Sequence, residues 1–515
     1  MNNLRIGRRV LLAGAAASVG TLGVSRFGVR SIRAAEPGGL PEYPIGVRQL
    51  FLDDENIGRM ERVKRVLHQP VKYEGNPIIR HDQTPWQQFR AQLYGTSLYD
   101  PEEKLFKMWY LAGARLPFDE PVTIDGRKCV PNFQLVGYAE SRDGYNFELP
   151  NLGLVDYNGS KENNFCRIAR ECVEGIAVVR TPHDSDPQRR YKSLYWEHLA
   201  TRDDVDPGVS VNAMCVSFSA DGKTWTNHAE NPVMPYGSDT GQQALWDPLL
   251  QKYVAYGRFN AGGRRVARSE SPDFIRWSEP KLVFEADAKD GPNAQVYGMG
   301  VSLYEGMYIG LPWMFQEGTT HKIDVQLTCS RDGINWNRVA DRAVFIPNGP
   351  DKSWDAGIVF TASQPLVVKD DKIFIYYSAS EHDHDYRQRP PEGTPEWKQH
   401  WDSIKTSIGV ATLRRDGFVS LEPEQETGRL ITKPFAMPQS GQLNVNVDAQ
   451  DGAAHVTLRP ADLNATPLAR SMQVRGDQLN QAVEWSPAAS LPASGEPVRL
   501  EFELSRARLY SYWFS

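Results

Sequence analysis

Short runs of aromatic and β-branched residues, separated by polar turns, fill most of this chain, whereas the apolar spacing of an amphipathic helix is scarce. The runs come in pairs. In the first pair, residues 94–99 and 105–111 flank a charged turn, and four later pairs follow the same plan. A third run, a tight turn and a fourth run complete each unit. The pattern predicts five consecutive antiparallel units, each with strands A to D.

A Ser-x-Asp-Gly phrase marks the predicted turn between strands C and D. Glycine accepts the positive φ that such hairpin turns require, and an aromatic residue shortly afterwards begins the returning strand. The third copy has Phe274 in place of glycine, and the fifth copy lacks the serine. The aspartates of the five copies are Asp143, Asp221, Asp273, Asp332 and Asp416.

A β-rich unit that is repeated in this way predicts a β-propeller with one unit per blade. Residues 36–435 hold the five units, and a strand from within residues 48–80 is expected to close the last blade. An array of β-sandwiches is the alternative, although sandwiches do not repeat a hairpin phrase. Residues 440–515 read as further short alternating strands. The predicted fold class is all-β, a five-bladed β-propeller followed by a small C-terminal β-sandwich.

The first 35 residues have the composition of an export signal. The twin arginines Arg8 and Arg9 precede a modest apolar stretch, and no acidic residue occurs before Glu36. This stretch falls short of the roughly 20 residues that span a bilayer, so an uncleaved membrane anchor is the weaker alternative. We therefore predict a twin-arginine signal peptide at residues 1–35 and a periplasmic or extracellular protein without stable membrane insertion.

The charge balance excludes one large class of partner. The formal net charge is −6, and lysine and arginine form no cluster or stripe along the chain. Proteins that bind nucleic acid need such clusters to neutralise phosphates. The five cysteines also lack the spacing of a metal site. Twin-arginine substrates fold before export, so we do not expect disulfides to hold this fold.

The topology of a propeller indicates which acids can reach a ligand. Ligands bind at the face where strand A begins and where strand B turns to strand C. The A–B and C–D turns lie away from that face, so Asp100, Asp247 and the hairpin aspartates are expected to be structural. The acids that remain are Glu197, Asp239, Glu317, Asp355 and Glu381.

Aromatic, cationic and amide side chains accompany these acids. Tryptophan rings stack on sugars, while arginine and amide groups bind hydroxyl or carboxylate groups. His382 and His384 could hold a divalent metal, but alternating histidines in a charged loop favour a polar loop, and no cofactor is predicted. The predicted substrate-binding residues are Arg90, Asn164, His198, Gln242, Arg258, Gln295, Trp313, Trp354 and His382.

Carboxylates with such neighbours are typical of sugar chemistry. Hydrolysis of a glycosidic bond needs one protonated carboxyl group for the leaving oxygen. It also needs one carboxylate that attacks the sugar or activates water. We predict that Asp239 and Asp355 are the ionised partners and that Glu317 or Glu197 is the acid.

The repeated units resemble the five-bladed propeller glycoside hydrolases of families 32 and 43. The resemblance rests on the Ser-x-Asp-Gly-x-x-Trp hairpins and on Trp-Asp-Pro at 246–248, and the C-terminal part is similar to the sandwich of family 32. It implies a secreted hydrolase of poly- or oligosaccharides with a carboxylate pair in the central channel. The Trp-Met-Asn-Asp-Pro-Asn motif is missing, and Trp246 replaces the arginine of Arg-Asp-Pro, so fructan or sucrose specificity is not implied.

Two other functions fit the same pattern. One is a carbohydrate-binding propeller without catalysis, and the other is a propeller polysaccharide lyase. Two acids roughly 5–10 Å apart across one channel would favour hydrolysis. One acid among many aromatic residues would favour binding.

Overall fold

The fold is almost entirely β-structure. A computed structural model describes residues 40–87, 90–113, 122–129, 134–169, 173–198, 212–234, 238–259, 261–384, 391, 393–397, 405–439, 441–486 and 491–515, with only the backbone at 127–129, 198 and 212. The predicted signal peptide at 1–35 lies outside these residues. Within them, no helix has the length and apolar character needed to cross a membrane. Three 3-10 helices lie at Pro187–Arg189, Ala288–Asp290 and Val339–Arg342.

Four short strands precede three separate four-stranded antiparallel sheets. The first strands are β1 (Gln49–Leu50), β2 (Ile57–Glu61), β3 (Val63–Leu67) and β4 (Val71–Lys72). Sheet I contains β5 (Ala91–Asp100), β6 (Leu105–Ala112), β9 (Leu135–Ser141) and β10 (Phe165–Cys166), with a separate hairpin of β7 (Val122–Ile124) and β8 (Arg127–Cys129). Sheet II contains β11 (Val173–Arg180), β12 (Tyr191–His198), β13 (Asn212–Ser219) and β14 (Thr226–Asn227). Sheet III contains β15 (Gln243–Asp247), β16 (Lys252–Gly257), β17 (Val266–Ser271) and β18 (Lys281–Phe284).

The next two sheets are joined along one edge. Sheet IV contains β19 (Ala294–Tyr304), β20 (Met307–Gln316), β22 (Thr328–Ser330) and β23 (Asn337–Arg338). Sheet V contains β25 (Ile358–Lys369), β26 (Lys372–Ser380), β27 (Ser407–Arg414) and β4. The link is made by β21 (Ile323–Gln326), which pairs with β20, with β24 (Val344–Ile346) and, through one parallel pair, with β25.

The five sheets are arranged in a closed ring. Their first strands, β5, β11, β15, β19 and β25, each contact the first strand of the next sheet, and β25 contacts β5. The outermost strand of sheet V is β4, which comes from the N-terminal part of the chain and pairs with β27. The all-β, propeller-type fold that the sequence predicts is therefore confirmed, and the closing strand lies within residues 48–80 as expected.

The aspartate of each hairpin phrase stabilises its own turn. In the first copy, Asp143 Oδ1 accepts hydrogen bonds from the backbone N–H groups of Tyr145 and Asn146, both at 2.8 Å. The Ser141 hydroxyl accepts from the N–H of Gly144 at 3.0 Å. The same network recurs at Asp221 and at Asp332. These side chains hold the backbone of the turn, which is the structural role that the topology predicts.

The hairpins also fasten neighbouring sheets together. An aromatic side chain on the second strand of one sheet donates a hydrogen bond to the glycine carbonyl in the hairpin of the next sheet. The three pairs are Trp109 to Gly222 (2.7 Å), Tyr256 to Gly333 (2.9 Å) and Tyr376 to Gly144 (2.8 Å). A Cβ atom at Gly333 would lie 2.5 Å from the Tyr256 hydroxyl, and φ there is +70°. Glycine is therefore required both by the turn and by the close approach.

Two A–B turns provide a second link between sheets. Asp100 caps its own turn by accepting from the N–H of Glu102, and it also accepts from the Tyr191 hydroxyl of sheet II at 2.6 Å. Asp247 caps the corresponding turn of sheet III and accepts from the Tyr308 hydroxyl of sheet IV. Both carboxylates are buried. They join sheets to one another at the end where the sequence places structural aspartates.

Acid should weaken the Asp100 contact. Burial opposes ionisation of Asp100, but the hydrogen bond from Tyr191 and the charge of Arg180 outweigh it and lower the pKa to about 2. Since the pKa in an unfolded chain is about 3.9, the carboxylate stabilises the fold above that pH, and this contribution is lost as the pH falls towards 2. We expect Asp100→Asn to unfold at lower urea concentration at neutral pH, by about 2 kcal/mol. It should lose less stability than the wild type between about pH 5 and pH 3; equal losses would contradict the prediction.

The C-terminal sheet also contains strands that lie before residue 440, where the sequence places the start of the C-terminal unit. Its strands are β28 (Val419–Pro423), β29 (Thr427–Thr432), β30 (Phe435–Ala436), β31 (Leu443–Pro460), β32 (Ala469–Arg470), β33 (Val474–Ala482), β34 (Pro497–Ser505) and β35 (Arg508–Phe514), with β1 to β3 added from the N-terminal side. The first half of β31 pairs with β33 and β35, and its second half pairs with β32 and β34. This long strand thus joins two sets of partner strands within one sheet, and the buried side chains of these strands form one apolar core. Residues 49–67 and 419–436 alternate like propeller strands, which is why the sequence pattern alone does not separate them from the propeller.

The fifth hairpin aspartate connects this C-terminal unit to the propeller. Asp416 is buried and forms an ion pair with Arg48 at 2.7 Å. It also accepts hydrogen bonds from Tyr304 of sheet IV and Ser511 of β35, both at 2.5 Å, and from Asn446 at 3.1 Å. The Arg48 guanidinium in turn lies 3.7 Å from the centre of the Trp513 ring. One carboxylate therefore joins the N-terminal segment, two propeller sheets and the C-terminal strands.

Candidate functional site

The centre of the ring is filled by aromatic side chains. Tyr94, Tyr297 and Phe360 from three first strands meet Trp313 from β20, with ring centres 5.1–6.0 Å apart in four of the pairs. Trp313 is 1% exposed, and its indole N–H donates to the Thr361 hydroxyl at 2.9 Å. The prediction that Trp313 stacks on a sugar is therefore not supported. Its ring points inwards, where it packs against Gly298.

A cavity of about 460 Å³ opens beside this aromatic cluster. Its walls come from the approach to β15, from the loop between β16 and β17, and from the start of β19. Three predicted site residues from these separate segments meet here, namely Asp239, Arg258 and Gln295. The cavity is lined by Ser238, Asp239, Arg258, Ala261, Gly262, Gly263, Arg264 and Gln295.

Asp239 presents a carboxylate to this cavity. Its side chain is 60% exposed, and Oδ2 lies 2.9 Å from Nη2 of Arg258, whose side chain is only 9% exposed. The backbone at Asp239 has φ of +59°, a conformation that costs free energy for a residue other than glycine. The Arg258 N–H donates to the Ser238 hydroxyl at 2.8 Å, and its guanidinium lies 5.0 Å from the Tyr297 ring centre. Arg258 thus holds Asp239 while it is itself fixed by packing.

Glu317 does not line the cavity itself but contacts two residues that do, Gln295 and Arg264. Gln295 Nε2 donates to Glu317 Oε2 at 2.5 Å, and Gln295 Oε1 accepts from Arg264 Nη1 at 3.0 Å. Arg264 Nη1 also lies 3.8 Å from Glu317 Oε1. Of the four predicted catalytic acids, Asp239 therefore lines the cavity, and Glu317 contacts two residues that line it.

Arg264 is a site residue that sequence reasoning missed. The loop between β16 and β17 was expected to face the ligand, but only Arg258 was chosen from it. The segment Ala-Gly-Gly-Arg-Arg at 261–265 carried the signal, because small residues beside arginine leave room for a ligand. The Arg264 guanidinium lies 5.4 Å and 5.2 Å from the ring centres of Tyr297 and Phe315.

His384, rather than His382, reaches the aromatic cluster. His384 Nε2 lies 3.0 Å from the Tyr297 hydroxyl, and its ring packs against Phe315. The backbone N–H of His382 donates to Ser380 at 3.3 Å, and His382 is not among the residues that line the cavity. In the described part of the chain, no three histidine, cysteine, aspartate or glutamate side chains are grouped as metal ligands.

Several other predicted binding residues have structural contacts instead. Asn164 is buried, donates to the Tyr110 hydroxyl and the Tyr138 carbonyl, both at 2.8 Å, and accepts from Trp86. Arg90 donates to Gln134 at 2.7 Å. Asn164 therefore holds sheet I together and does not face a ligand.

Two further predicted site residues, Glu197 and Gln242, also have structural surroundings. Glu197 is buried within sheet II, where its backbone pairs with Val173 and Ala213, and it does not line the cavity. Gln242 is buried and donates to the Asp239 carbonyl at 3.3 Å, so it supports the loop that carries the acid. The side chain of His198 lies outside the described residues.

Asp355 lies apart from Asp239 and Glu317. It is buried and accepts from Lys72 Nζ at 2.6 Å and from the Ser353 hydroxyl at 2.7 Å. Lys72 belongs to β4, the strand that closes the ring. Trp354 beside it stacks on Tyr377 with ring centres 5.6 Å apart. Asp355 thus helps to hold sheet V closed, and neither Asp355 nor Trp354 lines the cavity beside Asp239.

Asp355→Asn should therefore affect stability and not catalysis. The substitution removes the negative partner of Lys72, and a hydrogen bond to a charged group contributes about 1.5–3 kcal/mol. We expect a lower thermal midpoint with unchanged kcat on a confirmed substrate. Asp351→Asn, at a carboxylate that is 93% exposed, is the matched control and should change neither quantity. A loss of kcat at unchanged stability would return Asp355 to the active site.

No family model matches this chain, and no curated protein matches it either. Several solved structures are similar. A β-1,2-mannobiose phosphorylase from Listeria innocua is 12% identical and matches over 67% of this chain and 96% of its own, with a TM-score of 0.43. A glycosyl hydrolase from Bacteroides ovatus is 14% identical and matches over 68% of this chain and 94% of its own, with a TM-score of 0.43. A fructofuranosidase from Schwanniomyces occidentalis is 10% identical and matches over 87% of this chain and 98% of its own, with a TM-score of 0.39. Residue roles in this chain rest on its own geometry.

Proposed function

We propose that this protein is a glycoside hydrolase whose carboxylate pair is Asp239 and Glu317. The observation that carries the proposal is that Asp239 lines a cavity of about 460 Å³, within the usual size range of small-molecule sites, and that Glu317 is held by Gln295, which lines the same cavity. Arginine and glutamine side chains fix both acids. These are the groups that bind sugar hydroxyls and orient a carboxylate.

The two acids have different partners, and we assign their roles on that basis. Arg258 pairs with Asp239 at 2.9 Å, which suits the carboxylate that attacks the sugar or activates water. Glu317 accepts from the amide of Gln295 and lies 3.8 Å from Arg264 Nη1, and the role assigned to it is to give a proton to the leaving oxygen. Arg258 and Gln295 hold the two carboxyl groups in place while the sugar binds between them.

A search for released sugar tests the proposal. Purified protein is incubated with a panel of plant, algal and microbial polysaccharides, and the products are separated by chromatography. We expect new oligosaccharides or monosaccharides from at least one substrate, and none from the Asp239→Asn/Glu317→Gln double variant. Release of the same products by the double variant would overturn the assignment of both acids.

A non-catalytic carbohydrate-binding propeller is the second candidate. It is favoured by the fact that both acids already have protein partners, Arg258 and Gln295, which is also what a rigid binding site requires. The two functions differ in one measurement. Binding of a glycan without release of any sugar over the whole panel would identify the binding protein.

The proposed substrate lies outside the cytoplasm. The twin arginines Arg8 and Arg9, followed by a short apolar stretch, support export of the folded protein. An exported hydrolase would meet polysaccharides that cannot enter the cell.

A further inference from the structure

Two arginines line the cavity and retain unused donor groups. Among the described residues, no hydrogen-bond acceptor lies against Nε of Arg258, although this atom is buried. Arg264 is 28% exposed, and Nη1 makes its hydrogen bond to Gln295. A guanidinium group carries five N–H donors in a planar fork, so each arginine can still bind a ligand atom.

The charged side chains that line the cavity have a positive balance. They are Arg258, Arg264 and Asp239. Two positive charges thus face one negative charge in a partly buried site, where electrostatic interactions are stronger than in water. Arg264 Nη1 lies 3.8 Å from Glu317 Oε1, so an anionic group of a ligand can approach Arg264 more closely. This step rests on the proposed function, in which a glycan enters the cavity.

The wall between the two arginines has room for an additional group. It consists of Ala261, Gly262 and Gly263, and a Cβ atom added at either glycine would meet no other atom within 4 Å. Both glycines have positive φ, at +68° and +129°, so larger residues are disfavoured there. The segment keeps the space beside the arginines open.

We infer that the substrate is an anionic glycan, and that Arg258 and Arg264 bind a carboxylate or sulfate group on one of its sugars. Arginine suits such a group because its planar donors match two oxygens of a carboxylate or a sulfate. The group occupies the open space beside Gly262 and Gly263, while Asp239 and Glu317 face the glycosidic bond.

A glycan array with matched members tests the inference. The wild-type protein is applied to carboxylated glycans, to the same glycans as methyl esters, to sulfated glycans and to their desulfated forms. We expect binding to anionic members only, and the two anionic sets show whether the group is a carboxylate or a sulfate. Binding to the neutral forms, or sugar release from neutral polysaccharides alone, would overturn the inference and leave the proposed function intact. No binding and no release on any glycan would overturn both.

Arg265, the neighbour of Arg264 in sequence, provides the matched control. Arg264→Gln should weaken binding of the anionic glycan by about 10- to 100-fold, and the remaining binding should depend less on salt. Arg264→Lys should retain part of the affinity, because it keeps the charge but not the planar donors. Arg265→Gln removes the same charge from a side chain that is 46% exposed, pairs with Glu285 and does not line the cavity, so it should bind like the wild type. Equal losses in Arg264→Gln and Arg265→Gln at unchanged thermal midpoints would contradict the inference.

Discussion

Asp239→Asn and Glu317→Gln are each expected to lower kcat by about 10²- to 10⁴-fold on a confirmed substrate, because acid–base assistance alone contributes that much. Both substitutions keep the size of the side chain. Asp239 and Glu317 are 60% and 36% exposed, so the loss of either charge should change the thermal midpoint little. The measurement is kcat and KM for each variant beside its thermal midpoint.

The control for this pair is Asp143→Asn. Asp143 caps an outer hairpin and is held by the N–H groups of Tyr145 and Asn146, far in the chain from the cavity walls. It should leave kcat unchanged while lowering stability slightly. If Asp239→Asn and Glu317→Gln both keep the wild-type kcat, the cavity is not the site of catalysis, and the buried Glu197 becomes the next acid to test.

Asp416→Ala is expected to be the most destabilising single substitution considered for this protein. It leaves Arg48 buried without its anion and removes the acceptor for Tyr304 and Ser511. Removal of one partner of a buried ion pair costs about 3–5 kcal/mol. Urea denaturation followed by tryptophan fluorescence measures the loss, and Trp513 reports on the junction directly because it packs against Arg48.

A double-mutant cycle separates the ion pair from the rest of the junction. Arg48→Ala combined with Asp416→Ala should be less destabilising than the sum of the two single changes, since no unpaired charge remains. Strictly additive effects would show that the two charges do not stabilise each other. Asp221→Ala, at a hairpin of the ordinary type, serves as the comparison and should cost about 1 kcal/mol.

The repeated parts of this molecule could be predicted from sequence, and the site only in part. Hairpin turns depend on local contacts, since Asp143 bonds to residues two and three positions along, and the sequence displays those contacts directly. The direction of a side chain at the centre of the ring depends on several sheets at once. Trp313 and Asp355 were therefore assigned to the substrate, although one is packed inside the ring and the other is paired with Lys72.

The residues of the loops around the cavity could be predicted from sequence only in part. The structure brings Asp239, Arg258 and Gln295 to one cavity, because the ends of strands A and B meet on the same face in this topology. Arg264 was missed although it lies in the same loop as Arg258, because it stands next to β17 rather than β16. Asp416 was placed among the hairpin aspartates. Its partners Arg48 and Ser511 are distant from it in sequence, so no local sequence pattern predicts these contacts.

The pairing of the first and last strands has a consequence for how this protein is made. Gln49 in β1 pairs with Tyr512 in β35, and β2 and β3 pair with β29 and β28. These partners are made only after all five sheets of the ring, so β1, β2 and β3 stay unpaired during synthesis until β28, β29 and β35 have been made. A chain that stops before these strands retains open strand edges of the kind that aggregate. We therefore expect fragments that lack β28 to β35 to aggregate more readily than a chain that contains them.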